Sequence, residues 1–148
     1  MSNCLSVPFE TTLHVRDHCL CLAAQRAARA LARRFDEALK PVGITSGQFS
    51  LLNALNRPEP PTIGAVATLL AMDRTTLTAN LKPLERRGMV ELTADAKDKR
   101  SRRIRLMDAG MAALTAAMPI WVGTHGEIDE AVGGEETTAL RAGLRALA

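Results

Sequence analysis

Residues 63–106 read IGAVATLLAMDRTTLTANLKPLERRGMVELTADAKDKRSRRIRL. Hydrophobic spacing in this stretch is helical up to Gly88 and alternating beyond it. Ile63–Ala71 predicts a short apolar helix, broken at Met72-Asp73. Asp73 can cap a further helix through Arg87, because its carboxylate accepts the unpaired N–H groups of a first turn. Gly88 ends that helix in the left-handed conformation open to glycine. Leu77, Leu81 and Leu84 form the buried stripe, leaving Thr75, Thr78, Ala79, Lys82 and Arg86 on an outward face that is polar, short-chained and basic. Two short helices joined by a tight turn make a helix-turn-helix. Past Gly88, Val90 and Leu92 alternate with Glu91 and Thr93, then Ile104 and Leu106 alternate with Arg103 and Arg105, around a polar tip at Ala94–Arg102. A period of two on both sides of a charged tip predicts a β-hairpin packed on the helix pair, a wing.

On either side of this lobe the chain reads as helix. The first ten or so residues form a lead-in. From about Asp17 to Lys40, Leu20, Ala24, Ala27, Leu31, Phe35 and Leu39 recur at steps of three and four, and Pro41 and Gly43 stop the helix. Thr45 and Gln48 make a capping box, with Ile44 and Phe49 at the staple positions, and Arg57-Pro-Glu-Pro-Pro61 closes the helix they open. After the wing, Asp108 can cap a long helix whose Met111, Leu114, Met118, Trp121, His125, Ile128 and Val132 form a near-heptad seam suited to packing between subunits. Pro119 should kink it. Gly133-Gly134 separates a last helix carrying Leu140, Leu144 and Leu147. The fold class expected is mainly α with a small β-hairpin wing, in one domain over 1–148. About 17–40 and 108–148 would be dimerisation helices, and about 44–107 a winged helix-turn-helix lobe.

Composition narrows the function. The hydrophobic fraction of 47% excludes disorder, and with 3% aromatics and no tyrosine the helices must pack on small aliphatic side chains. Net charge is only +3, yet residues 95–105 hold six basic and two acidic side chains, while 123–136 hold five acidic ones and no Lys or Arg. A basic segment on one part of a domain is the footprint of a polyanion. No apolar run reaches the length of a membrane span, and MSNCLSVPFETTLH lacks the regions of a secretory signal, so a cytoplasmic location is expected. There Cys4, Cys19 and Cys21 would not form a disulfide framework. No glycine-rich phosphate loop, nucleophile motif or carboxylate pair with a partner histidine is present, which argues against an enzyme.

The motifs ITSGQFSLLNAL (44–55), DRTTLTANLKPLERRGMV (73–90), DKRSRRIRL (98–106) and the MDAG after it strongly resemble the multiple antibiotic resistance regulator (MarR) family, from about residue 19 to the end. The resemblance implies a homodimer held by its N- and C-terminal helices, with two winged lobes on a pseudo-palindromic duplex DNA operator. It places the recognition-helix positions on Thr75, Thr76, Thr78, Ala79 and Lys82. The wing-tip residue that enters the minor groove falls on Arg100, with Asp98 bracing the wing and Arg102 beside it. It also implies a repressor released by a small aromatic or phenolic effector. Ala79 stands where many relatives carry arginine, Pro83 lies inside the recognition helix, and Met107 replaces a frequent threonine.

Two further groups invite a sharper reading. Cys21, by its spacing to Thr45, matches the peroxide-reactive cysteine of the hydroperoxide-sensing branch of that family, although this chain lacks the tyrosines that hold such a thiolate. With Cys19 it is the candidate for thiol-based redox sensing; a buried inert cysteine is the plainer alternative. His14 and His18 with these thiols have metal-ligand chemistry, but residues two apart on one helix diverge, so no metal or cofactor is assigned. Arg26, Arg29 and Arg33 read as a solvated helix face. The competing function is a winged-helix interaction module without DNA binding, for which a wing so basic has no use.

Overall fold

The computed structural model describes residues 6–148; Cys4 lies outside the described residues. The chain divides into two units that meet between Arg34 and Phe35. In the first, helix α1 spans Phe9–His18 and α2 begins at Leu20, continuing to Leu39. A single helix from about Asp17 is therefore not what forms. Cys19 interrupts it in an extended conformation (φ −76°, ψ 107°), its N–H donating to the Val15 carbonyl to close α1. The Cys19 Sγ, 3.4 Å from the Leu22 nitrogen, accepts that N–H and so caps the first turn of α2. The expected lead-in is helical from Phe9.

The second unit follows local chemistry closely. After a single 3-10 turn at Lys40–Val42, Gly43 adopts φ +73°, and the Arg87 guanidinium donates to its carbonyl at 2.9 Å. Helix α3 (Ser46–Leu55) opens with the Thr45/Gln48 capping box, both hydrogen bonds present, and Ile44 and Phe49 are buried on either side of it. Helix α4 is Ile63–Leu69, shorter than its apolar pattern suggests. Its end is a Schellman turn in which the Met72 N–H reaches the Ala67 carbonyl and the Ala71 N–H that of Thr68. Ala71 thereby takes φ +50°, a left-handed conformation normally left to glycine. Helix α5 (Arg74–Arg86) is capped by Asp73 and runs unbroken through Pro83; Gly88 closes it at φ +67°.

Strands β1 (Val90–Ala94) and β2 (Arg102–Leu106) pair antiparallel, Leu92 opposite Ile104. Helix α6 spans Asp108–Val132 through Pro119, and α7 spans Gly134–Leu147. Asp108 is not the cap of α6: Met107 holds that position with no side-chain hydrogen bond. Asp108 instead sits in the first turn, where a carboxylate faces the positive end of the helix dipole. The core gathers Leu39, Leu51, Leu52, Val66, Leu77, Leu81, Leu84 and Ile104 from α2, α3, α4, α5 and β2. Helix α6 joins it with Gly110, Ala113, Leu114 and Ala117. Gly110 lets α6 approach closely, since a Cβ there would collide with the Met89 carbonyl oxygen and stand 2.7 Å from Leu106. The seam suited to packing between subunits is thus divided in its burial. Leu114 is buried in its own lobe, whereas Met111, Met118 and Val132 remain exposed.

Hydrogen bonds from Arg103 and Ile104 hold the wing to the rest of the lobe, and one ion pair closes the wing on itself. The Arg103 Nε donates to Asp95 at 3.1 Å and its Nη1 to the Pro60 carbonyl at 2.6 Å. Ile104 donates its N–H to the Pro61 carbonyl at 2.9 Å, and Thr62 bridges to Arg103 as an added antiparallel pairing. Asp95 is 9% exposed, and the Lys97 N–H and the Arg103 guanidinium hold its carboxyl below the usual range. A carboxyl depressed in the folded state stabilises that state above the unfolded value, about 3.9, and loses the contribution as pH falls through the lower folded value. Protection of the Lys97 and Ile104 amides, measured against intrinsic exchange, should therefore be high at neutral pH and fall on acidification below about pH 4. Asp95→Ala should exchange fast at both. Wild-type exchange that tracks only the intrinsic chemistry of exchange across this range would contradict the brace.

Candidate nucleic-acid interface

The N-terminal turn of α5 is exposed and built around Asp73. Its Oδ1 accepts the Thr76 N–H at 2.8 Å and its Oδ2 the Thr76 hydroxyl at 2.7 Å, which together hold its carboxyl below the ordinary range. The Thr78 hydroxyl donates to the Arg74 carbonyl at 2.8 Å. Both hydroxyl protons are thus engaged within the helix. Since phosphate oxygens only accept, Thr76 and Thr78 present methyl groups and acceptor lone pairs outward instead. Thr75 and Lys82 carry no side-chain partner among the described residues and are exposed, as is Ala79. Ala79 and Pro83 line a small hollow against Thr45 and Gln48, away from the wing.

The wing tip is ordered by its own short hydrogen bonds. Asp98 Oδ1 accepts the Arg100 N–H at 2.9 Å and the Asp98 carbonyl accepts the Ser101 N–H at 3.0 Å. The Arg100 and Arg102 side chains have no ion-pair partner among the described residues. The other two wing arginines do: Arg103 pairs with Asp95 and Arg105 with Glu91. Thr78, Asp98, Arg100 and Arg102 come together in one groove of about 450 Å³ between α5 and the wing, and Arg74 and Gly64 complete it. Thr75, Thr76, Ala79 and Lys82 are not among the residues lining it. Arg74 and Asp95 were absent from the residues expected at this face. A basic residue directly after a helix cap was the available signal for Arg74; Asp95 offered none.

A second feature lies beside α3. Phe49, Asn53, Leu69, Leu70, Met118 and Trp121 border a cleft of about 420 Å³. Phe49 and Trp121 stack at 6.4 Å between centroids, and His125 lies against Trp121 at 4.6 Å and Phe35 at 5.5 Å. Trp121 therefore serves both as partial core and as a wall of this cleft. In the first unit, Cys21 is exposed and its Sγ accepts from the Gln25 amide at 3.2 Å. Cys19 is half-buried and lies outside α2, so the divergence expected for two residues on one helix does not apply. The His14 and His18 rings stack at 4.1 Å, with His18 Nδ1 donating to the His14 carbonyl. Among the described residues no group of three or more His, Cys, Asp or Glu is placed to hold a metal ion, and no helix is long and apolar enough to cross a membrane.

Comparison with known proteins agrees with this geometry. The MarR family model matches residues 42–101. The transcriptional activatory protein BadR of Rhodopseudomonas palustris is 31% identical over 88 residues, covering 57% of this chain and 50% of that protein. The HTH-type transcriptional regulator TtmR of Methylorubrum extorquens is 34% identical over 94 residues, 64% of this chain and 48% of its own length. The chain thus spans about half the length of the curated relatives it matches. Among solved structures, the transcriptional regulator MosR of M. tuberculosis in complex with DNA is 38% identical, with a TM-score of 0.80 over 88% of this chain and 93% of that one. The transcriptional repressor CouR bound to a 23-mer DNA duplex is 29% identical, with a TM-score of 0.79 over 90% and 94%. A winged helix-turn-helix that follows a 38% identical regulator over nearly its whole length leaves one conclusion: the chain belongs to the MarR family.

Proposed function

We propose that this chain is a sequence-specific transcriptional regulator that binds duplex DNA as a homodimer. It acts in the cytoplasm as a repressor released by a small effector and catalyses no reaction. The observation that carries the reading is the set of exposed, unpartnered cations lining one groove from two adjoining elements, Arg100 and Arg102 on the wing and Arg74 on α5, with Lys82 exposed further along that helix. A helix face with Thr75, Thr76, Thr78 and Ala79 suits a major groove, where threonine methyls and lone pairs meet base edges. An arginine at a hairpin tip suits the negative minor groove. The two similar proteins solved with DNA support the same reading. Exposed Met118, Val122, Val132, Leu140 and Leu144 on α6 and α7 support the homodimer, because apolar surface of that extent is unfavourable in water.

Duplex binding by the full chain should weaken steeply with salt as counterions are released. Lys82→Ala should weaken all sequences alike and lower the salt slope by roughly one per lobe. Arg100→Ala should cost on the order of 1–3 kcal/mol on the preferred sequence, and less where its flanks are made G·C-rich. Arg100→Ala binding as tightly as wild type would contradict the placement of the wing.

The aromatic cleft supports an aromatic or phenolic effector, since stacking on Phe49 and Trp121 would reward a flat ring. The chain holds one tryptophan, so its fluorescence reports this cleft alone. Titrated phenolic acids should quench Trp121 emission and weaken DNA binding in parallel; quenching without loss of DNA binding would separate the cleft from regulation. The accessible Cys21 thiol beside the Cys19 break supports thiol sensing as a second reading. In that case stoichiometric organic hydroperoxide, and not phenolic acids, should change DNA affinity in wild type but not in Cys21→Ser.

A further inference from the structure

The groove between α5 and the wing holds an arginine whose position depends on a glycine. Arg74, the first residue of α5, lays its guanidinium against the bare backbone of Gly64 on α4. A Cβ built on Gly64 would stand 2.9 Å from Arg74 Nη2, 3.5 Å from Cζ and 3.7 Å from Nε. Three atoms of one planar group within that range mean that the guanidinium occupies the space a side chain at 64 would fill. Arg74 is exposed and has no side-chain hydrogen bond or ion pair among the described residues, so its N–H donors point to no protein acceptor. Arg100 and Arg102, equally unpaired, and Thr78 line the same groove of about 450 Å³. Asp98 is the one acid lining this groove, and its Oδ1 is engaged by the Arg100 N–H.

We infer that this groove is a phosphodiester clamp, in which Arg74 grips a backbone phosphate of the duplex between the grooves entered by α5 and the wing, and Gly64 is the residue that positions it. The inference rests on the DNA-binding reading above. Three guanidiniums around one engaged carboxylate form a strongly cationic slot, and the planar fork of arginine matches phosphate oxygens two at a time. Charge is neutralised without any base being read, so the clamp adds affinity and register on the duplex but not sequence preference. Gly64 is used here for space, not for backbone freedom. Gly110 is the counter-example in the same lobe, since its absent Cβ would meet a fixed backbone carbonyl, whereas at Gly64 it would meet the movable end of a side chain.

The test is a salt series of duplex binding by fluorescence anisotropy, using a random-sequence duplex longer than two helical turns. It compares wild type, Arg74→Ala, Gly64→Ala and the double variant, each with its thermal melt. Arg74→Ala should weaken binding on the order of tenfold for each lobe engaged, as for a lost charged hydrogen bond, and lower the salt slope by about 0.9 per lobe. Gly64→Ala should weaken binding while melting no lower than wild type, because alanine favours a helix and only the guanidinium has to move. In the Arg74→Ala background Gly64→Ala should have no further effect, as positioning through Arg74 requires.

Unchanged affinity and slope in Arg74→Ala would overturn the clamp while leaving the DNA-binding reading to Arg100 and Lys82. Equal loss from Gly64→Ala in both backgrounds, or a lowered melting temperature, would overturn the role of Gly64, and Arg74→Ala alone would then decide the clamp. Inorganic phosphate that competes beyond a chloride control of equal ionic strength would reassign the groove to a free phosphate ligand and overturn the duplex assignment. Wild-type binding with no salt dependence would instead remove the reading on which the clamp rests.

Discussion

Arg103 ties together parts of the chain that are distant in sequence. A two-stranded hairpin is marginal by itself in water. Here the outer edge of β2 is covered by Pro60, Pro61 and Thr62 from the connection between α3 and α4, through the Arg103–Pro60 and Ile104–Pro61 hydrogen bonds and the Thr62 bridge. Prolines fit this edge well, because they offer carbonyls to the strand and bring no N–H that would need a partner of its own. The other side of the same guanidinium holds Asp95 at the base of the wing tip. The Pro60 and Pro61 bonds thus hold β2 to the connection before α4, and the Asp95 bond holds the start of the tip to β2.

The arrangement sorts the charges of the wing by role. Of the basic residues in 95–105, Arg103 and Arg105 are tied to Asp95 and Glu91. Exposed pairs such as Glu91–Arg105 contribute little to stability. The pair involving Asp95 differs, because that carboxylate is largely withdrawn from water and also accepts a backbone N–H. Lys99, Arg100 and Arg102 are left without acidic partners among the described residues, whereas Lys97 lies in the field of Asp95. The net charge of +3 understates what a polyanion would meet at this face, since the acidic stretch at 123–136 belongs to α6 and α7.

What could be read in the residues beforehand was what is decided within one turn of chain. The Thr45/Gln48 box, the Asp73 cap and the Gly88 terminator each depend on neighbours three or four residues away, and each forms. Where several local solutions compete, the pattern misled. Asp108 looked like a better cap than Met107 but lies one position inside the helix. Ala71 carries no mark of a left-handed residue, yet the Schellman turn closing α4 requires one there. Cys19 reads as one more helical residue until its sulfur is seen capping α2. The contacts that shape the candidate site were the least legible. Arg103 reaches Pro60 across 43 residues, and the meaning of Gly64 depends on an arginine from the next helix. Family resemblance proposed the face, whereas the hydroxyls of Thr76 and Thr78 are turned inward by bonds that no spacing displays.

The central claim is that two winged lobes read duplex DNA in a sequence-dependent way. Its most direct test is to let the purified full chain select from sheared genomic DNA at near-physiological salt, and to sequence what it retains. The account predicts one recurring pseudo-palindrome, with half-sites about one helical turn apart, roughly 10–10.5 base pairs or a multiple of it, as paired lobes require. Retained fragments that share no sequence, or a motif without two-fold symmetry, would contradict it.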